Sequence, residues 1–246
     1  MDWQKLLTFG IFISLKQLKT IQSKIDPCLM MKGDIFLVFF CDDAGVAAKS
    51  EQDINDLIQA LKEKGFEPTR EESFSEFLGI KYDELSDGSV SMTQKGLIEK
   101  IIAATIMEGC NPKHTPALKA ALGLDPEGEP MDDDWSYLSV VGMLLYLSTN
   151  TRPDIAFAVS QVARYTYGPK KSHAAAVKHL VRYLSKTKEM GIIVKPYKAL
   201  TLDCYADADF AGLYGRDPDD EPASVKSRTG YIIKLGGCPV FWKSQL

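Results

Sequence analysis

The apolar run from Ile35 to Cys41 follows the turn signal Lys32-Gly33-Asp34, and Asp42-Asp43-Ala44-Gly45 interrupts the pattern before Val46-Ala47-Ala48 resumes it. Two short apolar runs across a tight polar break read as a hairpin, here with two aspartates at its tip. Ile54, Leu57, Ile58 and Leu61 then recur at helical spacing, with Ser50 and the acidic Asp53 to start a helix and Gly65 to stop it. Partial alternation through Phe74, Phe77, Leu78, Ile80 and Tyr82 leads to the turn Asp87-Gly88 and on to Val90 and Met92, a second hairpin. A further helix is predicted from about Thr93 to Met107, with Leu97, Ile98, Ile101 and Ile102 inward. At the other end, Trp3, Leu6, Leu7 and Gly10 suggest a helix start, while Phe9 to Ile21 carries no clear pattern.

From Asn111-Pro112 to Pro130 the chain holds Pro, Gly and acidic residues without periodicity, which predicts a linker or long loop and the main boundary. Three helices should follow. Asp134 is the expected cap of the first, whose stripe is Leu138, Val141, Leu145 and Leu147. Pro153 suits the first position of the second, with Ile155, Val159 and Val162 inward, and Ser172 is the expected cap of the third, with Ala176, His179, Leu180 and Leu184. The period changes again from Ile192: Leu200 to Tyr205, Gly230 to Leu235 and Pro239 to Trp242 read as strands, the last two joined at the Gly236-Gly237 turn. The result is an α+β chain with no internal repeat.

Its 246 residues, 45% hydrophobic and 25% charged, suit a globular chain able to bury a core. Ile35 to Cys41 is the longest apolar run, far short of the roughly 20 residues that cross a bilayer, and the first residues make a poor secretory signal. Five widely spaced cysteines form no CxxC pair, which argues against a zinc knuckle or a disulfide framework and suits an intracellular, reducing setting, cytoplasmic or nuclear. The net charge of −4 does not advertise nucleic-acid binding, but its distribution is uneven. Lys49 to Met92 holds five basic and eleven acidic residues, whereas Arg152 to Lys198 holds ten basic and two acidic. Lys170, Lys171, Lys178, Arg182, Lys186 and Lys188 in the second stretch are candidates to follow a phosphate backbone; a solvated lysine-rich face is the competing explanation.

Asp42 and Asp43 are the leading candidate site, because adjacent carboxylates at a tight turn can hold a hard cation such as Mg²⁺. Asp132-Asp133-Asp134 and Asp219-Asp220 show that such runs also arise as solvated loop charge. His173 and His179 lie six apart, a poor spacing for a helical metal pair, and read as core or surface residues. Trp3, Trp135 and Trp242 read as packing residues, and Arg152 and Asp154 as partners across a helix junction.

Phe40-Cys41-Asp42-Asp43 resembles the tyrosine-x-aspartate-aspartate box of reverse transcriptases, with Phe40 in place of the usual tyrosine. Ser23 to Leu29 before it, and Phe77-Leu78-Gly79-Ile80 with Met92-Thr93-Gln94-Lys95 after it, are similar to the Ty1/copia group. Closer still are Tyr137 to Leu147, Thr151-Arg152-Pro153-Asp154-Ile155-Ala156-Phe157-Ala158-Val159 and the sequel His173 to Leu184. Tyr205-Ala206-Asp207-Ala208-Asp209-Phe210-Ala211-Gly212, Ser227 to Tyr231 and Leu235 to Ser244 resemble the start of that group's RNase H domain.

The resemblance implies a partial reverse-transcriptase palm with the aspartate hairpin and the start of the thumb over 1–107, a linker over 108–133, a helical thumb or connection region over 134–190, and truncated RNase H-like strands over 191–246. It makes Asp42 and Asp43 the palm's metal pair and Asp207 the first RNase H carboxylate, with Mg²⁺ or Mn²⁺ as the cofactor and an RNA/DNA template-primer duplex as the partner. Two-metal chemistry needs further carboxylates. The fingers, an upstream palm aspartate and most RNase H carboxylates are not among these residues, so the expectation is an inactive remnant of an RNA-directed DNA polymerase. A non-catalytic nucleic-acid-binding protein, or a fragment completed by a complementary reverse-transcriptase or RNase H chain, is the alternative; no membrane partner is expected.

Overall fold

A computed structural model of the chain describes residues 20–40, 43–71, 74–118, 121–132, 134–195, 199–215, 217–218 and 221–246, and the backbone alone of residues 2–7. The chain divides into two compact units, Met1–Leu78 and Gly79–Leu246.

The first unit is a five-stranded antiparallel sheet of β1 (Asp2–Leu7), β2 (Ile21–Gln22), β3 (Leu29–Lys32), β4 (Ile35–Phe40) and β5 (Asp43–Ala48), in the order β1-β5-β4-β3-β2. Leu37 pairs with Met30 on one side and Val46 on the other, and all three side chains are buried. Helix α1 (Glu51–Glu63) lays Ile54, Leu57 and Leu61 into the same core as Ala44, Val46 and Ala48. Its start is the predicted one: the Ser50 hydroxyl accepts the Asp53 N–H at 3.3 Å, satisfying an otherwise orphan donor of the first turn. Gly65, at φ +83°, turns the chain just beyond the helix. The short strand β6 (Glu76–Phe77) closes the unit.

Residues 2–7 correct the expectation of a helix start. They form a strand paired residue for residue with β5, from Asp2 opposite Ala48 to Leu7 opposite Asp43. The side of β5 away from β4 would otherwise leave a row of backbone donors and acceptors unpaired, and that requirement outweighs a loose spacing of three apolar residues. Most of the patternless tract lies outside the described residues.

In the second unit β7 (Ile80–Glu84) and β8 (Val90–Thr93) form the expected hairpin, and β9 (Ile192–Val194) adds to β8. Helix α2 (Lys95–Ala104) is followed by α3 (Tyr137–Asn150), a 3-10 turn (Pro153–Ile155), α4 (Ala156–Ala163) and α5 (Lys171–Lys186). One core joins the four helices: Ile98 and Ile101 from α2, Val141, Leu144 and Leu147 from α3, Val159 and Val162 from α4, and Val177, Leu180 and Leu184 from α5. Two caps differ from expectation. Ser136, not Asp134, caps α3 by accepting the Ser139 N–H, and α5 starts at Lys171, one residue before Ser172. The ring of His173 takes the Lys170 N–H, so the helix begins earlier than a hydroxyl cap at Ser172 would set it.

The segment expected to be a linker is fastened down. Between residues 121 and 132 the Leu122 N–H donates to Gln161 Oε1 at 2.7 Å, the Tyr165 hydroxyl donates to the Leu122 carbonyl at 2.9 Å, and the Met131 N–H donates to the Pro169 carbonyl at 3.0 Å. The division between compact units falls instead at Leu78/Gly79.

The tail strands β10 (Leu202–Ala208), β11 (Thr229–Leu235) and β12 (Cys238–Gln245) form an antiparallel sheet in that order. Gly236 and Gly237 join β11 to β12 with φ +56° and +81°, the two positive values of the hairpin turn that matches strand twist.

Candidate functional site

The aspartate hairpin is formed as expected. β4 and β5 pair through Phe40 opposite Asp43, which puts Asp43 at the first residue of the returning strand. Cys41 and Asp42 lie outside the described residues. Asp43 also faces Leu7 across β1 and is partly buried. Phe74 packs closely on β5: a Cβ at Gly45 would lie 3.3 Å from its ring.

Asp207 lies on β10, opposite Gly230 of β11. The register sets Tyr205, Asp207, Ile232 and Trp242 on one face of the sheet, because residues directly opposite one another share a face. This face looks across a cleft of about 670 Å³ at Pro153, Ala156 and Phe157, at the start of α4. Trp242 anchors the sheet there: its Nε1 donates to the Ser148 carbonyl of α3 at 2.7 Å, a packing role as expected. The Arg228 guanidinium lies 5.0 Å from the centre of the Phe157 ring and donates to the Ser160 hydroxyl. Burial, and then the nearby Arg164 charge, lower the Arg228 pKa. The cleft holds three carboxylates, Asp154, Asp207 and Asp209, beside two cations, Arg228 and Lys243.

The residues around Asp207 do not fit a divalent ion as they stand. Its Oδ1 accepts the Ala208 N–H at 2.9 Å, and the neighbouring Asp209 is turned to accept the Arg228 N–H at 2.5 Å. Among the described residues, no group of three or more His, Cys, Asp or Glu is placed to hold a metal.

The six basic candidates are distributed along and around α5, and several are already engaged. Lys170 Nζ donates to the Gly128 carbonyl at 3.0 Å, and Lys171 pairs with Glu129 at 2.7 Å and Asp132 at 3.5 Å. The Glu129 hydrogen bond, then the Asp132 and Glu129 charges, raise the Lys171 pKa. Lys186 lies 3.0 Å from His114 Nδ1, on a loop that also brings the Lys113 N–H to the Arg182 carbonyl at 3.2 Å. The Arg182 Nε is buried without a hydrogen-bond partner among the described residues. Lys178 and Lys188 are half-buried. The continuous cationic face suggested by the sequence is therefore reduced to a few groups.

His173 is a core residue. It is 1% exposed, its ring stacks on Tyr165 with centroids 3.9 Å apart, and its Nε2 meets the Gly123 carbonyl at 3.0 Å. Desolvation lowers its pKa despite the Gly123 hydrogen bond and the Asp125 charge. His179 sits apart, 2.9 Å from the Thr115 carbonyl.

Arg152 and Asp154 form the expected pair, and more. Arg152 is 1% exposed and grips Asp154 with two parallel bonds of 2.8 Å, Nε to Oδ1 and Nη2 to Oδ2. Its other donors reach the Thr187 carbonyl at 2.9 Å and hydroxyl at 2.8 Å at the end of α5, and the Tyr183 hydroxyl donates to Asp154 at 2.8 Å. Burial resists ionisation of Asp154, but the Arg152 bonds and charge, with Tyr183, prevail and hold its carboxyl below the usual range. The Arg152-Pro153-Asp154 spacing signalled the pair; nothing local signalled Thr187 or the buried Arg164–Asp217 contact at 3.6 Å.

With this geometry in place, the relatives define the class. Over 214 residues, 87% of this chain, it is 30% identical to the Retrovirus-related Pol polyprotein from transposon RE1 of Arabidopsis thaliana. It is 30% identical over 94% of its length to the corresponding polyprotein from transposon TNT 1-94 of Nicotiana tabacum, and 27% identical over 87% to the putative transposon Ty5-1 protein of Saccharomyces cerevisiae. The chain is thus a retrotransposon Pol-derived protein. It spans 14% of the length of the RE1 polyprotein, 18% of the TNT 1-94 polyprotein and 66% of the Ty5-1 protein. No family model matches the chain, and no solved structure does.

Proposed function

We propose that this chain is the part of a copia-type reverse transcriptase that runs from the catalytic hairpin of the palm, through a helical connection, into the first strands of an RNase H-like domain, and that by itself it does not polymerise DNA. The observation that carries the reading is the β4–β5 hairpin, which follows an apolar strand and places Asp43 at the turn, within a stretch aligned over most of its length with retrotransposon Pol polyproteins. The order of the remaining motifs supports it: the helical segment from Tyr137 to Leu184 follows the hairpin, and the Asp207 strand follows the helices.

On this reading Asp42 and Asp43 are ligands for Mg²⁺ or Mn²⁺, which would supply the charge that stabilises a transferring phosphoryl group. The chain's own residues build the hairpin that presents them. Inactivity is supported at the Asp207 strand, where Asp207 accepts the Ala208 N–H, Asp209 accepts the Arg228 N–H and Asp154 is held by Arg152. Primer extension on an RNA template tests it. No extension by the purified chain is expected; extension lost in Asp42→Asn would overturn the inactive reading while supporting the palm reading.

A second reading, non-catalytic binding of an RNA/DNA duplex, is favoured by Lys178, which has no ion-pair partner among the described residues. Weak binding at low salt that drops several-fold in Lys178→Gln/Arg182→Gln is the expected result, and binding unaffected by those changes counts against it.

A further inference from the structure

Residues 121–132 carry four carboxylates, Asp125, Glu127, Glu129 and Asp132, and lie across the cationic start of α5. Besides the bonds to Gln161, Tyr165 and Pro169, the segment is tied to α5 by the Lys171 N–H to the Glu129 carbonyl at 2.9 Å and the Ser172 hydroxyl to Asp125 Oδ2 at 2.5 Å. It occupies both ammonium groups of the helix start, Lys170 through the Gly128 carbonyl and Lys171 through Glu129 and Asp132.

His173 sits beneath this cover with a fixed proton arrangement. Its Nδ1 accepts the Lys170 N–H at 3.0 Å, so the neutral ring carries its hydrogen on Nε2 and donates to the Gly123 carbonyl of the cover. A second proton on the ring would have to go on Nδ1, directly against the Lys170 N–H. The surroundings offer little relief. Tyr165 is stacked over the ring, and Lys170 and Arg164, the latter paired with Asp217, oppose a second proton, while the Gly123 carbonyl and Asp125 favour it. From the remaining element against the cover, Asp217 Oδ1 is already taken by the Leu124 N–H at 2.7 Å.

We propose that residues 121–132 are an acid-released cover: protonation of His173 detaches them from α5 and frees the ammonium groups of Lys170 and Lys171. The gating does not depend on what those lysines then bind. Burial of the ring and the Lys170 N–H on Nδ1 make the closed form take the proton less readily than the open form, so falling pH favours opening, by at most about tenfold per pH unit.

Hydrogen exchange on the full chain tests this, with rates corrected for the intrinsic pH dependence of exchange. Between pH 7.5 and 5.5, a window above the ordinary carboxylate range, protection of the Leu122, Leu124, Met131 and Lys171 amides should fall, by up to about tenfold, while Leu144 and Leu147 in α3 hold theirs. The chain has three histidines, so His114→Gln/His179→Gln leaves His173 alone and should keep the response. His173→Gln should abolish it. If that variant does not fold, the imidazole nitrogen spectrum of the double variant replaces it: the amides of the cover should open with the midpoint of the His173 ring. Protection unchanged by pH, an equal loss in α3, or a response that persists in His173→Gln would overturn the proposal.

Discussion

Arg152 is the residue on which the helix junction turns. Its four hydrogen bonds to Asp154 and Thr187 are made at 2.8–2.9 Å while it is 1% exposed, and they join the 3-10 turn to the C-terminal end of α5. Removing one member of a buried pair leaves the other charge uncompensated. Arg152→Met should therefore cost about 3–5 kcal/mol of stability in urea unfolding, and Arg152→Lys should recover only part of it, since an ammonium cannot make the paired bonds of a guanidinium. The pH dependence has a definite sign. Burial opposes the charge on Asp154 but Arg152 and Tyr183 lower its folded pKa, so its contribution is complete above the ordinary value of about 4 and is lost as pH falls through the lower folded value. The gap between the native chain and Arg152→Met should narrow in acid.

At the scale of elements, close backbone approaches matter as much as hydrophobic periodicity. A Cβ at Gly191 would collide with the Met92 carbonyl, which is backbone and cannot rotate away. Gly191→Ala should push β9 off β8 and speed exchange of the Ile193 amide without touching the helical core. Gly236→Ala, at φ +56°, should cost about 1 kcal/mol through the left-handed conformation alone. Where periodicity and turn chemistry agreed, the elements were legible: α1 with its Ser50 cap, the β7–β8 hairpin and the Gly236-Gly237 turn. Residues 2–7 became a strand because β5 required a partner, and β9 could not be seen in three residues whose partner lies a hundred positions earlier. The caps of α3 and α5 shifted for similar reasons: Ser172 turns to Asp125 and His173 takes the N-terminal donor.

On the scale of the whole molecule, the described residues form two cores with no shared residue, one built around Leu37 and Leu57 and one around Leu144 and Leu180. Leu57→Ala and Leu144→Ala should each cost about 2–5 kcal/mol, and exchange should report each loss in its own unit. The candidate chemistry was legible as motifs but not as a site. Asp207 was singled out by its flanking sequence, yet its engagement by the Ala208 N–H and the turning of Asp209 toward Arg228 depend on a strand pairing that no local pattern encodes. Similarly, the lysines of α5 read as a phosphate-binding face until the acidic segment 121–132 proved to lie against them.

The central claim is that the β4–β5 hairpin is the metal-binding hairpin of a polymerase palm, and Mn²⁺ titration of the full chain followed by amide NMR tests it most directly. Selective paramagnetic broadening of the amides from Phe40 to Ala44, abolished by Asp42→Asn/Asp43→Asn, is the predicted result. Broadening that spares the hairpin, or that persists unchanged in the double variant, would contradict it.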